Sequence, residues 1–526
     1  MSTALPPSQG FHYPCYVNAE RVWTTERCYG LHIRAVLSTD ASRSLAHHFT
    51  TAAGDEWDDH PHVLGSMCGS DTQVRKAALA AAAVARRPWR ATSVSTRLQL
   101  AAAVRMRLAV HQDTLIRLLM AEGCPRPMAE WQLGAMLNAL APAALQWYAT
   151  QLQQMPQSGP QQVVVRRRPD GLVCVDPPRN GPALCGLLGA MALFAGNTVV
   201  VRVPRSMPVA LAYLLHEVLI PVLEADQVPA GVLNVVCAEH RNCVREWLES
   251  PEVADICYFG ISQRGRSLER ECVTHEKKAV LELSGNDGVL VWHDADVSGA
   301  AAALAECFHG SGQMCLAPNW AVVHPAIAEE LIERLCTLAA KHRPGLPEDP
   351  HTTLSPLFNR GGFRRAVSEC QEHGAQICCG GRIVTADGTP AHTGLFAEPT
   401  VVRVDGLRAA RLLSVVQEET FFPLLPVVVP DGSDGEDTAL LDAMVDLVNS
   451  NTYGLRNSVW ARDPDVLEHV VSLVDNGGVL KVNTSHIDCP PHVPVGGGTG
   501  ATSGALAGAN YPLLTTTHLQ TVAGDF

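Results

Sequence analysis

Apolar residues recur at helical spacing in the first part of the chain. The segments VRKAALAAAAVARRPW (74–89) and STRLQLAAAVRMRLAVHQDTLIRLLMAEG (95–123) place apolar side chains three and four positions apart, as an amphipathic helix requires. Ser95 is a suitable N-cap for the second helix, and Gly123, followed by Pro125, is a typical helix end. The pattern therefore predicts a largely helical N-terminal region.

After residue 170, short apolar runs alternate with helical segments. The first strand-like runs are rich in β-branched residues and comprise GLVCVD (171–176), TVVVRV (198–203), LNVVC (233–237) and DICYF (255–259). Strands that alternate with helices predict parallel βαβ units, which build an α/β lobe. A second series, which begins with AVLEL (279–283) and GVLVW (288–292), predicts a second parallel-sheet α/β lobe.

The most apolar stretch of the chain is ALCGLLGAMALFAG (183–196). It is shorter than the about 20 apolar residues that a membrane-spanning helix needs. We therefore interpret it as a buried helix that leads into the next strand, and we predict no membrane partner.

Composition and charge narrow the class of partner. With 526 residues, of which 47% are hydrophobic and 18% charged, the chain is long enough for more than one core. The net charge of −13, with no clustered basic segment, argues against a nucleic acid or an anionic membrane as partner and favours a small-molecule substrate. The N-terminal residues lack the layout of a secretory signal, which predicts a cytoplasmic location.

Seventeen cysteines are scattered along the chain, and the pattern predicts reduced thiols rather than disulfides. The adjacent Cys378 and Cys379 have no nearby histidine or cysteine pair that would complete a tetrahedral site. We therefore predict no metal site.

One cysteine lies in an uncharged, glycine-containing segment, GSGQMCLAPN (310–319). A reactive cysteine needs a thiolate, and nearby backbone N–H groups both favour the thiolate and stabilise an oxyanion formed by its attack. Taken alone, Cys315 is more typical of a small buried core residue than of a nucleophile.

Four other segments change that interpretation. In chain order they are PPRNGP (177–182), FGISQRG (259–265), LELSG (281–285) and EETFFP (418–423). Together with the cysteine segment, their order and spacing resemble the aldehyde dehydrogenase superfamily. The resemblance covers roughly residue 12 to the C-terminus and implies that family's α/β fold.

The resemblance implies a chemical role for three residues. Cys315 would be the nucleophile, Glu282 the base that activates the deacylating water, and Asn180 the donor that stabilises the oxyanion together with the Cys315 N–H. Thiolate attack on an aldehyde gives a tetrahedral alkoxide, and loss of hydride to the nicotinamide leaves a thioester. The implied reaction converts an aldehyde to a carboxylate with NAD(P).

The resemblance also implies a dinucleotide site. Gly260 and Gly265 match a widely spaced glycine pair that leads into a helix start, where backbone N–H groups can face phosphate. Glu419 and Phe421 match positions that hold the nicotinamide ribose and ring.

Two arginines in VVVRVPRSMP match positions that contact the adenosine ribose. Arg202 stands where the family often has a lysine, and Arg205 stands where NAD-preferring members often have a glutamate. A guanidinium binds a 2′-phosphate through charge-assisted hydrogen bonds, whereas a carboxylate repels it. The cofactor is therefore NADP or NAD, with NADP favoured by Arg205.

Several residues differ from the family pattern, namely Arg179, Phe259, Ile261, Asn286 and Phe422. They leave open a catalytically silent member of the same fold. An acyl-transferring member is a further alternative, although a water-activating Glu282 would be superfluous there. A thiol protease that uses His309 is a fourth, with no protease signature around the cysteine.

The resemblance divides the chain into three parts. Residues 1–149 and 170–281 form the dinucleotide-binding domain, 282–482 the catalytic domain, and 150–169 with 483–526 a small β oligomerisation arm. An arm that pairs its edge strands with another subunit predicts a homodimer or a homotetramer.

Overall fold

The fold is taken from a computed structural model of the full chain. It describes residues 10–37, 57–154, 162–431, 437–494, 496–498, 500–504 and 508–525. Part of the expected arm, 155–161, lies outside these residues.

The strands of the described residues are, in chain order, β1 (Phe11–Tyr13), β2 (Cys15–Val17), β3 (Glu20–Val22), β4 (Arg27–Leu31), β5 (Val63–Cys68), β6 (Gln153–Gln154), β7 (Gln162–Pro169), β8 (Leu172–Asp176), β9 (Thr198–Val203), β10 (Leu233–Cys237), β11 (Val253–Phe259), β12 (Lys278–Glu282), β13 (Asp287–Val291), β14 (Pro318–Val323), β15 (Gln376–Cys379), β16 (Ile383–Val384), β17 (Phe396–Ala397), β18 (Thr400–Asp405), β19 (Leu424–Val429), β20 (Arg456–Trp460), β21 (Val479–Val482) and β22 (Thr517–Gly524).

The α-helices are α1 (Ile33–Leu37), α2 (Thr72–Ala91), α3 (Val94–Ala121), α4 (Arg126–Ala139), α5 (Pro142–Leu152), α6 (Pro182–Ala190), α7 (Ala192–Ala195), α8 (Val209–Tyr213), α9 (Ile220–Ala225), α10 (His240–Glu249), α11 (Ser262–Thr274), α12 (Val297–Ala305), α13 (Pro325–Ala339), α14 (Arg360–Glu372), α15 (Leu407–Ala410), α16 (Ser414–Gln417), α17 (Asp437–Asn449), α18 (Pro464–Leu473) and α19 (Pro512–Thr515). A π-helical segment, Leu214–Leu219, joins α8 to α9, and a 3-10 segment, Glu306–Gly312, follows α12.

The two long N-terminal helices form where the apolar spacing predicts them. The predicted N-cap of the second helix is wrong, because the helix begins at Val94 and Ser93 caps it. The Ser93 hydroxyl accepts from the Thr96 N–H (3.1 Å), which is the bond that an N-cap makes. The region is also less helical than predicted, since β1 to β5 precede α2.

The first large sheet has the strand order β12-β11-β8-β9-β10-β2-β3 and is parallel from β12 to β10. The four strand-like runs of the first series all lie in it. Alternate residues of β9 enter different cores, since Val199 and Val201 pack with α3 and α6 while Val200 packs with α2 and α10. Helices therefore cover both faces, as a parallel sheet requires.

The assignment of AVLEL (279–283) to the second lobe is wrong. The strand β12 pairs in parallel with β11, with Phe259 opposite Glu282, and so forms the edge of the first sheet. The alternation of strands and helices gives the element type, but the partner of a strand depends on non-local pairing. Glu282 consequently stands at the carboxyl end of a strand of the first sheet, beside the ends of β8 and β11.

The second large sheet has the order β15-β18-β19-β14-β13-β20-β21, and all pairs except β15 with β18 are parallel. It contains GVLVW (288–292) as β13, as predicted. Apolar residues on its two faces form separate cores with the surrounding helices. The two-lobed, mixed α/β architecture is thus confirmed.

A third sheet joins β6, β7 and β22, all antiparallel. Its long pair runs from Thr517 opposite Pro169 to Gly524 opposite Gln162. The Lys278 ammonium donates to the carbonyl oxygens of Thr515 (3.0 Å) and Thr517 (3.3 Å), which ties β22 to the first sheet. The domain boundaries and the oligomerising role of this sheet stay predictions.

The apolar stretch 183–196 is divided between α6 and α7 and leads into β9. Its residues are buried in the core of the first lobe apart from the partly exposed Cys185 and Leu188. Within the described ranges, no helix combines the length and the apolar character needed to cross a membrane.

Candidate active site

The cysteine segment follows a 3-10 turn with an unusual backbone. Gly310, Ser311 and Gly312 have left-handed φ values of 57°, 62° and 66°. Glycine adopts this region freely, whereas a serine there needs support. The Ser311 hydroxyl donates to the Ser355 carbonyl oxygen (2.7 Å) and accepts from the Ser355 N–H (3.0 Å). The turn is therefore fixed before the chain reaches Cys315.

Gln313 anchors the next part of the segment and brings Asn180 to it. The Gln313 side chain donates to the Pro356 carbonyl oxygen (3.0 Å) and accepts from the Phe358 N–H (2.8 Å). The Gln313 carbonyl oxygen accepts from Asn180 Nδ2 (3.1 Å). Because an amide nitrogen carries two hydrogens, Asn180 keeps one donor for another acceptor. The fold thus holds Asn180, from the loop after β8, beside the cysteine segment.

Gly285 packs the end of the LELSG segment against the cysteine. A Cβ atom at Gly285 would lie 1.9 Å from the Cys315 carbonyl oxygen, far inside contact distance. Close approach, rather than backbone conformation, therefore requires glycine at this position. This role of Gly285 was not predictable from the sequence, because its contact with Cys315 joins two residues that are far apart along the chain.

Replacement of Gly285 by alanine tests this packing. We expect Gly285→Ala to displace the Cys315 backbone and to lower any Cys315-dependent turnover by about 10²-fold, since misplacement of a reacting group by about 1 Å has that effect. Steady-state kinetics of the purified variant measures the loss. Gly134→Ala on α4 is the matched control, because a Cβ there meets no atom within 4 Å. Equal activity of the two variants would contradict the packing argument.

Glu282 is the last residue of β12, and its side chain is 3% exposed. Its Oε2 accepts from Asn510 Nδ2 (2.8 Å), while its Oε1 is buried without a partner among the described residues. Burial raises the pKa of Glu282 to about 8, against the opposing effects of the Asn510 hydrogen bond and the positive charge of Arg456. A carboxyl that titrates close to neutrality is suited to take up and release a proton.

Cys315 is partly exposed at the end of the anchored turn. Burial raises the pKa of its thiol well above the ordinary value, and the neighbouring Glu282, Cys185 and Glu419 raise it further. The resting thiol is therefore protonated at neutral pH and needs a proton acceptor. Among the residues that the structure describes, none accepts a hydrogen bond from the Cys315 N–H.

A buried polar network that the sequence did not reveal lies close to Glu282. The Arg456 N–H donates to Asp287 Oδ1 (3.1 Å), and Arg456 Nη1 donates to the His486 carbonyl oxygen (2.6 Å). The His486 ring lies 3.3 Å from Asp287 Oδ2. Burial raises the pKa of Asp287 and lowers the pKa of His486, so the pair favours its uncharged forms. Arg456 is then the nearby charge that counteracts the raised pKa of Glu282.

Helix α11 begins at the GISQRG segment, where the sequence predicts a helix start that faces phosphate. In the part of the chain that the structure describes, no side chain caps its first turn. The Ser262 hydroxyl oxygen is buried and has no partner among the described residues. Unpaired N–H groups at a helix start and an unpaired hydroxyl both suit an anion. The residues at this end therefore fit the pyrophosphate of a dinucleotide.

The predicted glycine pair links this helix to the base. The Gly260 N–H donates to the Glu282 carbonyl oxygen (3.0 Å). A Cβ atom at Gly265 would lie 2.2 Å from Leu283 Cδ2, so glycine allows α11 to pack closely on the end of β12. The helix start and Glu282 are thus held in one rigid corner.

Arg202 is buried, and its guanidinium is used within the protein. It pairs with the Asp176 carboxylate and donates to the carbonyl oxygens of Pro177 (3.2 Å) and Ala238 (3.3 Å). Asp176 also pairs with His240. Burial would raise the pKa of Asp176, but the Arg202 and His240 partners outweigh it and hold the pKa below its ordinary value. The ribose contact of Arg202 stays a prediction.

Arg205 lies nearer the surface, between two carboxylates. Its Nη2 is 3.0 Å from Glu26 Oε1, and its Nε is 3.5 Å from Glu239 Oε1. Both glutamates are substantially exposed, so each ion pair is weak.

Glu419 lies beside Gly285, the residue that packs against the Cys315 carbonyl oxygen. Its Oε1 accepts from the Gly285 N–H (3.1 Å). Burial raises the pKa of Glu419 to about 7, against hydrogen bonds from Ser284 and Gly285. Phe421 has a left-handed φ of 51°, which is rare for a bulky residue. The predicted ribose and ring contacts of Glu419 and Phe421 remain untested.

Arg179 and Phe422, two departures from the family pattern, have clear packing roles. The Arg179 guanidinium stacks over the Phe358 ring at 4.9 Å. Phe422 is buried edge-on against Phe363, with ring centroids 5.6 Å apart. Neither residue disrupts the turn that carries Cys315.

The chain is similar to known proteins over most of its length. The model of the aldehyde dehydrogenase family matches residues 60–522. The chain is 28% identical over 433 residues to a probable NADP(+) succinate-semialdehyde dehydrogenase of Sinorhizobium fredii, which covers 80% of this chain and 82% of the relative. It is 31% identical over 367 residues to a phenylacetaldehyde dehydrogenase of Pseudomonas fluorescens, which covers 68% of each chain.

Solved structures agree with the fold. An NADP-dependent enzyme of E. coli aligns with a TM-score of 0.77 at 25% identity and covers 98% of both chains. An NAD-dependent aldehyde dehydrogenase of Sinorhizobium meliloti aligns with a TM-score of 0.79 at 22% identity, over 97% of this chain and 94% of that one. The second likeness concerns the fold alone.

Proposed function

The chain belongs to the aldehyde dehydrogenase family, and from this premise we propose that it oxidises an aldehyde to a carboxylate with NAD(P), through a thiohemiacetal and a thioester on Cys315. The observation that carries the proposal is the convergence of Cys315, Glu282 and Asn180 from three separate parts of the chain. Asn180 reaches the cysteine segment through Gln313, and Glu282 is near enough to raise the pKa of the thiol.

The first chemical step is addition of the thiol to the aldehyde. The thiol proton passes to solvent, so that the Glu282 carboxylate stays free for the later step. The sulfur then attacks the carbonyl carbon, and the negative charge develops on the aldehyde oxygen. The second hydrogen of Asn180 Nδ2 and the Cys315 N–H stabilise that oxygen. The product is a thiohemiacetal.

Bound NAD(P) supplies the acceptor for the hydride that leaves the tetrahedral carbon. Loss of hydride regenerates the carbonyl group as a thioester on Cys315. Glu282 then takes a proton from water, whose oxygen attacks the thioester carbon. The carbon–sulfur bond breaks, the carboxylate leaves, and Glu282 returns its proton to the Cys315 sulfur, so that both groups are restored.

The helix start of α11, whose Ser262 hydroxyl has no partner among the described residues, would hold the cofactor pyrophosphate. Glu419 and Phe421 would hold the nicotinamide ribose and ring. Arg202 and Arg205 would lie at the adenosine end, and Arg205 favours NADP. A 2′-phosphate carries more charge than either glutamate paired with Arg205 and would replace these weak, exposed ion pairs.

Replacement of Arg205 tests the cofactor preference. We expect Arg205→Ser to lower the ratio of kcat/KM for NADP to kcat/KM for NAD by about tenfold, because a charge-assisted hydrogen bond is lost only with NADP. The exposed Arg245 of α10 supplies the control Arg245→Ser, which should leave the ratio unchanged. The same ratio in wild type and Arg205→Ser, or equal wild-type activity with both cofactors, would rule out the preference.

The alternatives differ from this proposal in identifiable ways. A silent member would give no reduced nicotinamide with any aldehyde, although the protein is folded. An acyl-transferring member would need an added thiol such as coenzyme A for turnover. The protease alternative has little support, because the His309 ring packs against the His342 ring at 5.4 Å and burial lowers the pKa of His309.

The direct test is reduced-nicotinamide formation with a panel of aldehydes. The relatives named above act, by their names, on succinate semialdehyde and phenylacetaldehyde. The panel therefore includes acidic and aromatic aldehydes, each with NAD and NADP separately. Turnover without added thiol supports the proposal, and absence of turnover in the folded protein overturns it.

The proposal extends to a homodimer or homotetramer assembled through the sheet of β6, β7 and β22. Within the described residues, β22 pairs only with β7 and leaves one edge free, and its Leu519 is 62% exposed. A free edge with an exposed apolar residue suits pairing with another copy. Analytical ultracentrifugation measures the assembly. The cytoplasmic location stays a prediction.

A further inference from the structure

The C-terminal segment, which the sequence assigned only to an oligomerisation arm, enters the active site at Asn510. This residue is buried, and its N–H donates to the Gly496 carbonyl oxygen (2.7 Å). The bond joins two stretches of the C-terminal segment, and both stretches lie beside the Glu282 carboxyl. The backbone of Asn510 is therefore held in place independently of its side-chain contacts.

The Asn510 amide has a defined orientation. Its Nδ2 lies 2.8 Å from Glu282 Oε2 and 3.3 Å from the Leu281 carbonyl oxygen, and both of these atoms are acceptors. Its Oδ1 accepts from the Thr515 hydroxyl (3.2 Å). Only the NH₂ end of the amide can satisfy the first two contacts. Asn510 thus acts towards Glu282 as a donor.

This contact makes the two oxygens of Glu282 different. Oε2 is bonded to Asn510, whereas Oε1 is buried without a partner among the described residues. A Cβ atom at Gly496 would lie 2.4 Å from Oε1, so glycine keeps that space open. One oxygen is held, and the other is left for a proton.

We propose that Asn510 is a positioning residue, which fixes Glu282 so that Oε1 faces the deacylating water and which stabilises the charged carboxylate through Oε2. The inference rests on the proposed function and adds to it a residue from the C-terminal segment. A donor to the carboxylate also makes the base easier to ionise, so that more of it is active at a given pH.

The titratable and charged groups around Glu282 set the direction of the pH effect. Arg456 is the charge that favours ionisation of Glu282. Other neighbours that interact with the carboxyl are Cys185, Cys257, Asp287 and Cys315. Loss of the Asn510 donor leaves these groups in place and removes one of the two influences that favour the carboxylate. The pKa of Glu282 must then rise.

An activated ester tests this step without any cofactor. The Cys315 sulfur attacks the carbonyl carbon of 4-nitrophenyl acetate, the thiol proton goes to solvent, and the carbon–oxygen bond breaks to release 4-nitrophenolate. Water then attacks the thioester and gives its proton to Glu282, the carbon–sulfur bond breaks, acetate leaves and the thiol is restored. The burst of 4-nitrophenolate reports acylation, and the steady-state slope reports deacylation.

We expect Asn510→Ala to keep the burst and to move the ascending limb of the steady-state pH profile to higher pH by about one unit, the effect of one hydrogen bond to a charged group. Asn510→Asp, which keeps the shape of the side chain, should move the limb further, since a second carboxylate disfavours ionisation. Tyr511→Phe is the matched control from the same segment, because it removes only the hydroxyl bond to the His492 carbonyl oxygen.

An unshifted limb in both Asn510 variants overturns the inference, as does an equal shift in Tyr511→Phe. A wild-type chain that shows no burst also overturns it. Formation of reduced nicotinamide from aldehydes is scored separately, so a chain that hydrolyses the ester but oxidises no aldehyde would refute the dehydrogenase and leave the role of Asn510 intact.

Discussion

Cys315→Ala is expected to abolish aldehyde-dependent reduction of NAD(P), with a loss of turnover on the order of 10⁴-fold or more, as for other enzymes that lose their nucleophile. A large loss is expected because the anchored turn at Ser311 and Gln313 holds Cys315 in the segment to which Asn180 donates. Spectrophotometry at the absorption band of reduced nicotinamide measures the loss.

Two further variants sharpen the test of Cys315. Cys336→Ala removes a partly exposed thiol of α13 and should leave turnover unchanged. Cys185→Ala removes another thiol that lies near Cys315, and it should retain the burst of product that Cys315→Ala loses. Full activity of Cys315→Ala would refute the covalent mechanism.

Glu282→Gln is expected to separate the two halves of the reaction. Glutamine keeps the size of the side chain and its contact with Asn510 but accepts no proton. Hydride transfer should still give one burst of reduced nicotinamide, while steady-state turnover falls by about 10²- to 10⁴-fold because deacylation loses its general base. Stopped-flow measurement of the burst, followed by steady-state rates, resolves the two steps.

The pH dependence belongs to the same prediction. The raised pKa of Glu282 means that its active, ionised form increases with pH through about 8, so wild-type deacylation should rise over that range. The rise should vanish in Glu282→Gln. Glu122→Gln is the control for loss of a buried carboxyl, since burial also raises the pKa of Glu122 to about 7 but its contacts are the N–H groups of Val209 and Ala210. A slope that survives in Glu282→Gln would assign the base elsewhere.

The helices and strands named from the sequence were predictable as elements because their signals are local, whereas β1 to β5 were not predicted. The β-branched residues of the runs 198–203 and 233–237 predict strands, and both strands form. The helical spacing of 95–123 predicts a helix, which the structure shows as α3. The sheet to which AVLEL belongs was not predictable, because only its pairing with β11 decides it. Ser93 and Ser95 offer the same cap chemistry, and the choice between them depends on where the chain enters the helix.

The residues of the candidate site also differ in whether the sequence can identify them. Cys315, Glu282 and Asn180 stand in short segments whose order carries information, so a sequence can identify them. Asn510 lies in a glycine-rich tail with no distinctive pattern, and Arg456 is one arginine among many. Their significance comes from contacts across more than a hundred residues of chain with Glu282 and Asp287, which no local periodicity encodes.

The order of residues along the last part of the chain matters for anyone who engineers this protein. Asn510 contacts the base, Thr515 supports Asn510, and β22 begins at Thr517, so a single short tether runs from the chemistry to the outer sheet. A carboxy-terminal deletion or a bulky fusion that pulls on β22 would strain that tether. Affinity handles and fluorescent fusions are therefore better placed at the amino terminus.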